Sequence, residues 1–378
     1  MAKLSMYLPP CSADYSGVCS AMYNLACLTV INDASCCTSH FVFYDEPRWE
    51  KRPAKVFSTG LRSTDAILGC EDKLVKTVCQ AASNLAAERI VLVGTPVPAI
   101  IGMDMVGIAN EIESKTGIET YGFNTTGFAY YDRGLVMAGM ALIDRHAEKS
   151  AKKQKNKLNI LGVSPLDFGD IGNAEDLENA LTSSGWGVNC CLFEDQDTEK
   201  IRRIGEAGVN LAVSSSGVKL AKYLEKKFGT PYVAAVPTGR AHFEEALSQL
   251  NGEKVEIPEF SENPSVLIVS DQVAGNSLRS ALRLSGCEAA VRVCSFFGWD
   301  ESLAKGSDAF LGSEADLIHL LRSGRYGTII ADPMIWNIPE TANLRKCEFV
   351  HPAVSGKLHW DKVPQFLSLD PEKLSVLT

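Results

Sequence analysis

Apolar residues in this chain fall into two recurring patterns, short unbroken runs and longer stretches with a repeat of three to four, and the two alternate from end to end. Leu28–Ile31, Arg89–Val93 and residues 119–122 read as buried strands. Residues 16–27, 64–87, 103–116 and 135–149 read as helices. Ala21, Leu25 and Leu28 carry the repeat of the first helix, which Asp14 or Ser16 can cap. The Gly69-Cys70 step sits where a turn can interrupt the second. Cys36 and Cys37 then fall in the loop beyond the carboxyl end of the first strand, where open α/β sheets place ligands.

The same alternation continues. Residues 158–163 read as a strand, SPLDFGDIGN as a long loop and 174–183 as a helix capped by Asn173. VNCCLF, EKIRRIGEAG, NLAVSSS, GVKLAKYLEKKFG and PYVAAV alternate strand and helix after it. Beyond Pro264, residues 265–270, 289–297 and 327–331 read as strands and 278–285 and 315–323 as helices, with DQVAGNS as a loop. The pattern predicts an α/β fold of three Rossmann-like units with parallel sheets, over 1–157, 158–262 and 263–378. The basic run at 152–157 reads as a solvated linker between the first two.

Length and charge narrow the function. A chain of 378 residues, 46% hydrophobic, can bury two or three ordinary cores. A net charge of −9 argues against nucleic acid, whose binding needs clustered Lys and Arg. The best apolar run, residues 21–31, is too short to span a bilayer and is interrupted by Asn24, and no signal peptide is evident. A cytoplasmic location is therefore expected, with no membrane partner. In that compartment the 12 cysteines are metal ligands or small buried residues, not a disulfide framework.

Five of them, Cys11, Cys19, Cys27, Cys36 and Cys37, lie in the first forty residues. The chain has no C-x2-C pair, which argues against structural zinc. One cysteine before a helix and another after the following strand can instead converge at one sheet edge, where thiolates suit iron and sulfide. The competing reading is that all five are buried packing residues, and Cys19 and Cys27, on the predicted helix, favour it, as do Cys190 and Cys191 within a strand. His40 reads as a supporting or surface residue close to the cysteine pair. Tyr130, Tyr131, Asp132 and Arg133 form a polar-aromatic group in which Asp132 can donate a proton to a reduced substrate, or simply cap an interface loop. No G-x4-G-K-[ST] loop and no G-x-G-x-x-G after a strand occurs, so neither ATP hydrolysis nor a nicotinamide or flavin role is expected.

Several segments together resemble the nitrogenase component 1 family, including dark-operative protochlorophyllide reductase and nickel-sirohydrochlorin reductive cyclase. They are Cys11, Gly17-Val18, Cys36 after VINDAS, FSTGLRSTDAILGCEDKL at 57–74, GTPVPAIIGMDMVGIANEIE at 94–113, GFNTTGF, and NLAVSSSGVKLAKYLEKKFGTPYV at 210–233. The resemblance implies a component 1-like fold and an iron-sulfur cluster, 4Fe-4S or a larger P-cluster-like form, shared between two homologous subunits in a homodimer or heterodimer. Cys11 and Cys36 match the first two of three ligands. Where the third is usual, this chain has Thr95, Pro96 and Val97; Cys70, in place of a usual glycine, or Cys37 can substitute, and failing both the partner supplies more of the ligands. Ser214 stands about where the nitrogenase catalytic chain anchors its large cofactor by cysteine, and residues 329–336 hold no matching histidine, so dinitrogen reduction is not expected. The implied function is an oxidoreductase subunit relaying low-potential electrons from a separate ATP-dependent iron-sulfur reductase to a small-molecule substrate in a cleft where the three units meet. The alternative is a non-catalytic scaffold or carrier for a metallocofactor.

Overall fold

The structure, a computed structural model, describes residues 5–149, 152–195, 198–253 and 264–374. Three parallel sheets form its frame. The first comprises β1 (Leu28–Ile31), β2 (Lys55–Ser58), β3 (Arg89–Val93) and β4 (Glu119–Phe123), in the order β2-β1-β3-β4. The second comprises β5 (Gln154–Leu161), β6 (Gly187–Cys191), β7 (Ala207–Ala212) and β8 (Tyr232–Ala234), in the order β6-β5-β7-β8. The third comprises β9 (Val266–Val269), β10 (Val291–Ser295), β11 (Ala309–Phe310), β12 (Thr328–Ala331) and β13 (Arg345–Glu348), in the order β11-β10-β9-β12-β13. Every pairing within them is parallel. Each sheet has one point where the strand order reverses, β1/β3, β5/β7 and β9/β12, and loops leaving the carboxyl ends there open a crevice for ligands.

The central strands β1 and β9 are wholly buried, as their largely apolar runs require. Helices cover both faces. Asp14–Met22 and Tyr131–His146 approach closely because Gly17 and Gly134 face each other's helix; a Cβ on Gly17 would lie 2.0 Å from the Tyr131 carbonyl oxygen. The predicted interruption at Gly69-Cys70 is present, separating Ser63–Leu68 from Glu71–Asn84.

Local expectations fail where a side chain has a better partner. Asp14 and Ser16 do not cap the first helix: Asp14 takes the Thr126 and Gly127 N–H groups at 2.9 and 2.7 Å, and the N-cap is Ala13. Asn173 begins its helix without capping it, its amide donating to the Phe168 and Pro364 carbonyls. The basic run read as linker supplies the exposed start of β5. DQVAGNS is the capped start of the helix Gln272–Leu284, since Asp271 accepts the Val273 and Ala274 N–H groups. Cys36 and Cys37 open the short helix Cys36–His40 instead of lying in a loop.

Candidate functional site

At the carboxyl edge of the first sheet the chain leaves β1 through Asn32 and Asp33 into Cys36–His40. Asp33 accepts the Thr38 N–H at 2.8 Å and its hydroxyl at 2.9 Å, fixing this helix against the strand end. Cys36 is exposed and Cys37 partly buried. Burial and the nearby Asp33 carboxylate raise the Cys37 thiol above its usual range, while the Tyr15 and Thr95 hydroxyls against its sulfur oppose that rise. Thr95 donates to the Asn32 carbonyl at 2.7 Å, joining the ends of β3 and β1.

Cys11 reaches the same region from the amino-terminal side, and Asp45 connects the two segments. Its carboxylate accepts the Ser12 hydroxyl at 2.8 Å and the Ser16 hydroxyl at 2.6 Å, and lies 3.6 Å from His40 Nε2. Burial, then the Asp332 and Asp45 carboxylates, push the Cys11 thiol up to about 12, so in this chain alone it holds its proton. Cys70 is elsewhere. It packs against the apolar cluster that holds Leu28, Val30, Ile90 and Leu92 on one face of the first sheet, while Cys11 and Cys37 pack against a separate, larger cluster that takes Ile31, Val91 and Val93 from the other face. Cys70 lines its own cavity of about 150 Å³ with Phe57 and Lys73. Among the described residues no three His, Cys, Asp or Glu side chains converge on a metal-sized site. Cys19, Cys27, Cys190 and Cys191 are buried packing residues.

The loops around this edge expose apolar side chains. Ile67 is 80% exposed and Leu68 83%, both beyond β2; Ile100 is 73% exposed beyond β3, and Phe128 71% beyond β4. Phe43 and Tyr44, beyond β1, are exposed as well. Large apolar residues clustered at one sheet edge mark an interaction surface.

A second region lies between the three sheets. A cavity of about 390 Å³ is lined by Tyr130, Asp132, Lys219, Phe297 and Trp299 among others. Asp132 occupies the first turn of Tyr131–His146 and accepts from Lys219 Nζ at 2.9 Å. Gly298 closes against this ion pair: a Cβ there would lie 2.8 Å from Asp132 Oδ2 and 2.9 Å from Lys219 Nζ. Tyr131 points away from the cavity and is buried. Its hydroxyl donates to Asp167 Oδ1 at 2.5 Å and lies 3.2 Å from His351 Nε2. Phe297 stacks on His351 with ring centroids 4.9 Å apart, separating this polar cluster from the larger cavity. Ser214 caps Ser215–Phe228 and donates to the Gly162 carbonyl at 2.8 Å.

Sequence reasoning missed Asp167 and His351. The signal was available, since both lie in the segments that leave strand ends, Asp167 in SPLDFGD beyond β5 and His351 in VHP beyond β13. Residues 329–336 hold no histidine; buried His351 lies one strand further on.

Comparison with known proteins accounts for this architecture. The chain superimposes on a chain of the structure titled "Nitrogenase Cp1 at pH 6.5" with a TM-score of 0.70 and 15% identity, covering 100% of this chain and 93% of that one. It is 30% identical over 179 residues to the nitrogenase iron-molybdenum cofactor biosynthesis protein NifE of Clostridium pasteurianum, 47% of this chain and 38% of that one. It is 24% identical over 280 residues to a subunit of the light-independent protochlorophyllide reductase of Trichormus variabilis, 70% of this chain and 54% of that one. The chain thus spans about a third to a half of the curated relatives it matches. Among the described residues no helix is long and apolar enough to cross a membrane. The sequence profile of the nitrogenase component 1 type oxidoreductases matches residues 17–289, and the chain belongs to that family.

Proposed function

We propose that the carboxyl edge of the first sheet is one side of an iron-sulfur site completed by a homologous subunit, and that the chain serves a nitrogenase-like reductase. The observation that carries this reading is the placement of Cys36, exposed, and Cys37 within an edge rimmed by exposed Phe43, Ile67, Leu68, Ile100 and Phe128. Water-facing apolar residues favour burial by a second chain. Sulfur donors suit a soft centre, and because among the described residues no three His, Cys, Asp or Glu side chains converge within one chain, the remaining donors are assigned to a second chain. Cys11, Cys36 and Cys37 are this chain's donors. Cys37 is favoured over Cys70 because it packs against the same apolar cluster as Cys11, whereas Cys70 packs against the separate cluster on the other face of the first sheet.

When bound, such a centre supplies one-electron transfer at low potential. The chain's own residues do the rest. Asp45 holds the Cys11 segment and His40 in one register through Ser12 and Ser16. The aromatic walls of the open 390 Å³ cleft receive the substrate, and Asp132, oriented by Lys219, exchanges a proton with it. With no phosphate-binding loop in the sequence, ATP-driven electron delivery falls to a separate iron-sulfur protein.

The likeness to a cofactor biosynthesis protein favours a second reading, in which the chain carries a metallocofactor without turning it over. One experiment separates the two. Anaerobically purified protein is mixed with an ATP-hydrolysing iron-sulfur donor and followed by EPR. A cluster signal that changes only with donor and ATP together supports the reductase; an unchanged signal with intact transfer of the cofactor to an acceptor supports the carrier.

A further inference from the structure

Between the second and third sheets lies a cavity of about 10 Å³, lined by Asp167, Ser270, Asp271 and His351. Three of the polar atoms in its lining residues are buried without a partner: Asp167 Oδ2, Ser270 Oγ and His351 Nδ1. All three residues are more than nine-tenths buried. Buried polar atoms rarely go unsatisfied, and a polar cavity of this size is about that of one water molecule.

We infer that this cavity binds one water molecule between Asp167, Ser270 and His351, and that the water, Asp167, Tyr131 and His351 together hold one exchangeable proton.

The hydrogen bonds close into a consistent circuit. With His351 as the Nε2–H tautomer, Nε2–H donates to Tyr131 Oη, and Tyr131 Oη–H donates to Asp167 Oδ1. The Ser270 hydroxyl donates to the water, which donates to Asp167 Oδ2 and His351 Nδ1. When the site gains its proton, Asp167 Oδ2 becomes the donor and the water turns to accept. Burial holds the Asp167 carboxyl up to about 6, aided by Asp271 and opposed by His351 and the Tyr131 hydrogen bond, so the proton is gained and lost near neutral pH. The facing groups are therefore Tyr131 at the start of Tyr131–His146, His351 ahead of Pro352–Ser355, Asp271 ahead of Gln272–Leu284, and Asp332 after β12, which accepts the His351 N–H. Phe297 stands between this station and the 390 Å³ cavity, which separates it from Asp132.

Infrared difference spectroscopy of the intact chain, titrated across pH about 6, reads the proton directly. The wild type should show the carbonyl stretch of a buried carboxylic acid on the acid side and lose it on the alkaline side, and Asp167→Asn should lack the band throughout. Ser270→Ala, which removes one hydroxyl and little volume, should shift the band because the water loses its donor; it decides the matter if Asp167→Asn fails to fold. A high-resolution crystal structure should place one ordered water within hydrogen-bonding distance of all three atoms. A band that survives Asp167→Asn, a band that Ser270→Ala leaves in place, or a dry cavity would overturn the inference.

Discussion

The first sheet and the other two end in opposite ways at the same topological feature. At β1/β3 the crevice opens to solvent, with Cys36 exposed and apolar side chains around it. At β5/β7 and β9/β12 the crevices face each other and are filled: Asp271 accepts the Ser215 N–H at 3.0 Å, Asp332 accepts the His351 N–H at 2.9 Å, and Asp167, Tyr131 and Phe297 close the space between. One edge leaves apolar side chains to solvent; the other pairs most of its polar groups within the fold, the buried atoms left without a partner there including Asp167 Oδ2, Ser270 Oγ and His351 Nδ1 around a cavity of about 10 Å³, and Ser215 Oγ. A shared parallel-sheet plan therefore does not dictate a shared use. The side chains leaving the strand ends decide whether the crevice stays open to solvent or becomes core.

Both regions depend on the crossing of Asp14–Met22 with Tyr131–His146, because the first helix follows Cys11 and the second begins at Tyr131. Gly17→Ala should break them together. With its Cβ 2.0 Å from a backbone oxygen, it should cost roughly 3–5 kcal/mol in urea unfolding. A loss below about 1 kcal/mol would mean that the helices can part without harm to either region.

Asp167→Asn acts on the closed region alone. Its carboxyl is held above the ordinary value, so the folded chain binds the extra proton and stability falls as pH rises from about 4 to about 6. Over that window the variant should gain about 2–4 kcal/mol relative to wild type, measured by urea unfolding at each pH. A pH-independent difference would place the carboxyl in contact with water.

The smallest change in chain stability should come from the open edge. Leu68→Ser should alter unfolding by no more than about 0.5 kcal/mol, because the side chain touches little in the isolated chain. It should nevertheless weaken association with a second subunit, seen by sedimentation. Unimpaired association would move the interface elsewhere and erase the contrast between the regions.

The architecture was legible because β1, β3, β9 and β12 are unbroken apolar runs that only a covered parallel sheet can bury. The strands without such a signal are β2, half-exposed, β11, of two residues, and β13, whose RKCE buries only Cys347. An edge strand needs no apolar signature. For the thiols, periodicity put Cys36 and Cys37 beyond a strand end but was silent on which sheet face receives Cys70, a matter of how the helix Glu71–Asn84 packs. Asp167, Tyr131 and His351 come from distant segments, so only the folded chain reveals that they share hydrogen bonds.

Iron per chain in oxygen-free preparations of the wild type and of Cys36→Ala, Cys37→Ala and Cys70→Ala tests the open edge most directly. Iron with acid-labile sulfide in the wild type, lost in the first two variants and kept in Cys70→Ala, is the predicted result. A wild type without iron, or iron that depends on Cys70 and not on Cys37, would contradict the assignment of this edge as a shared cluster site.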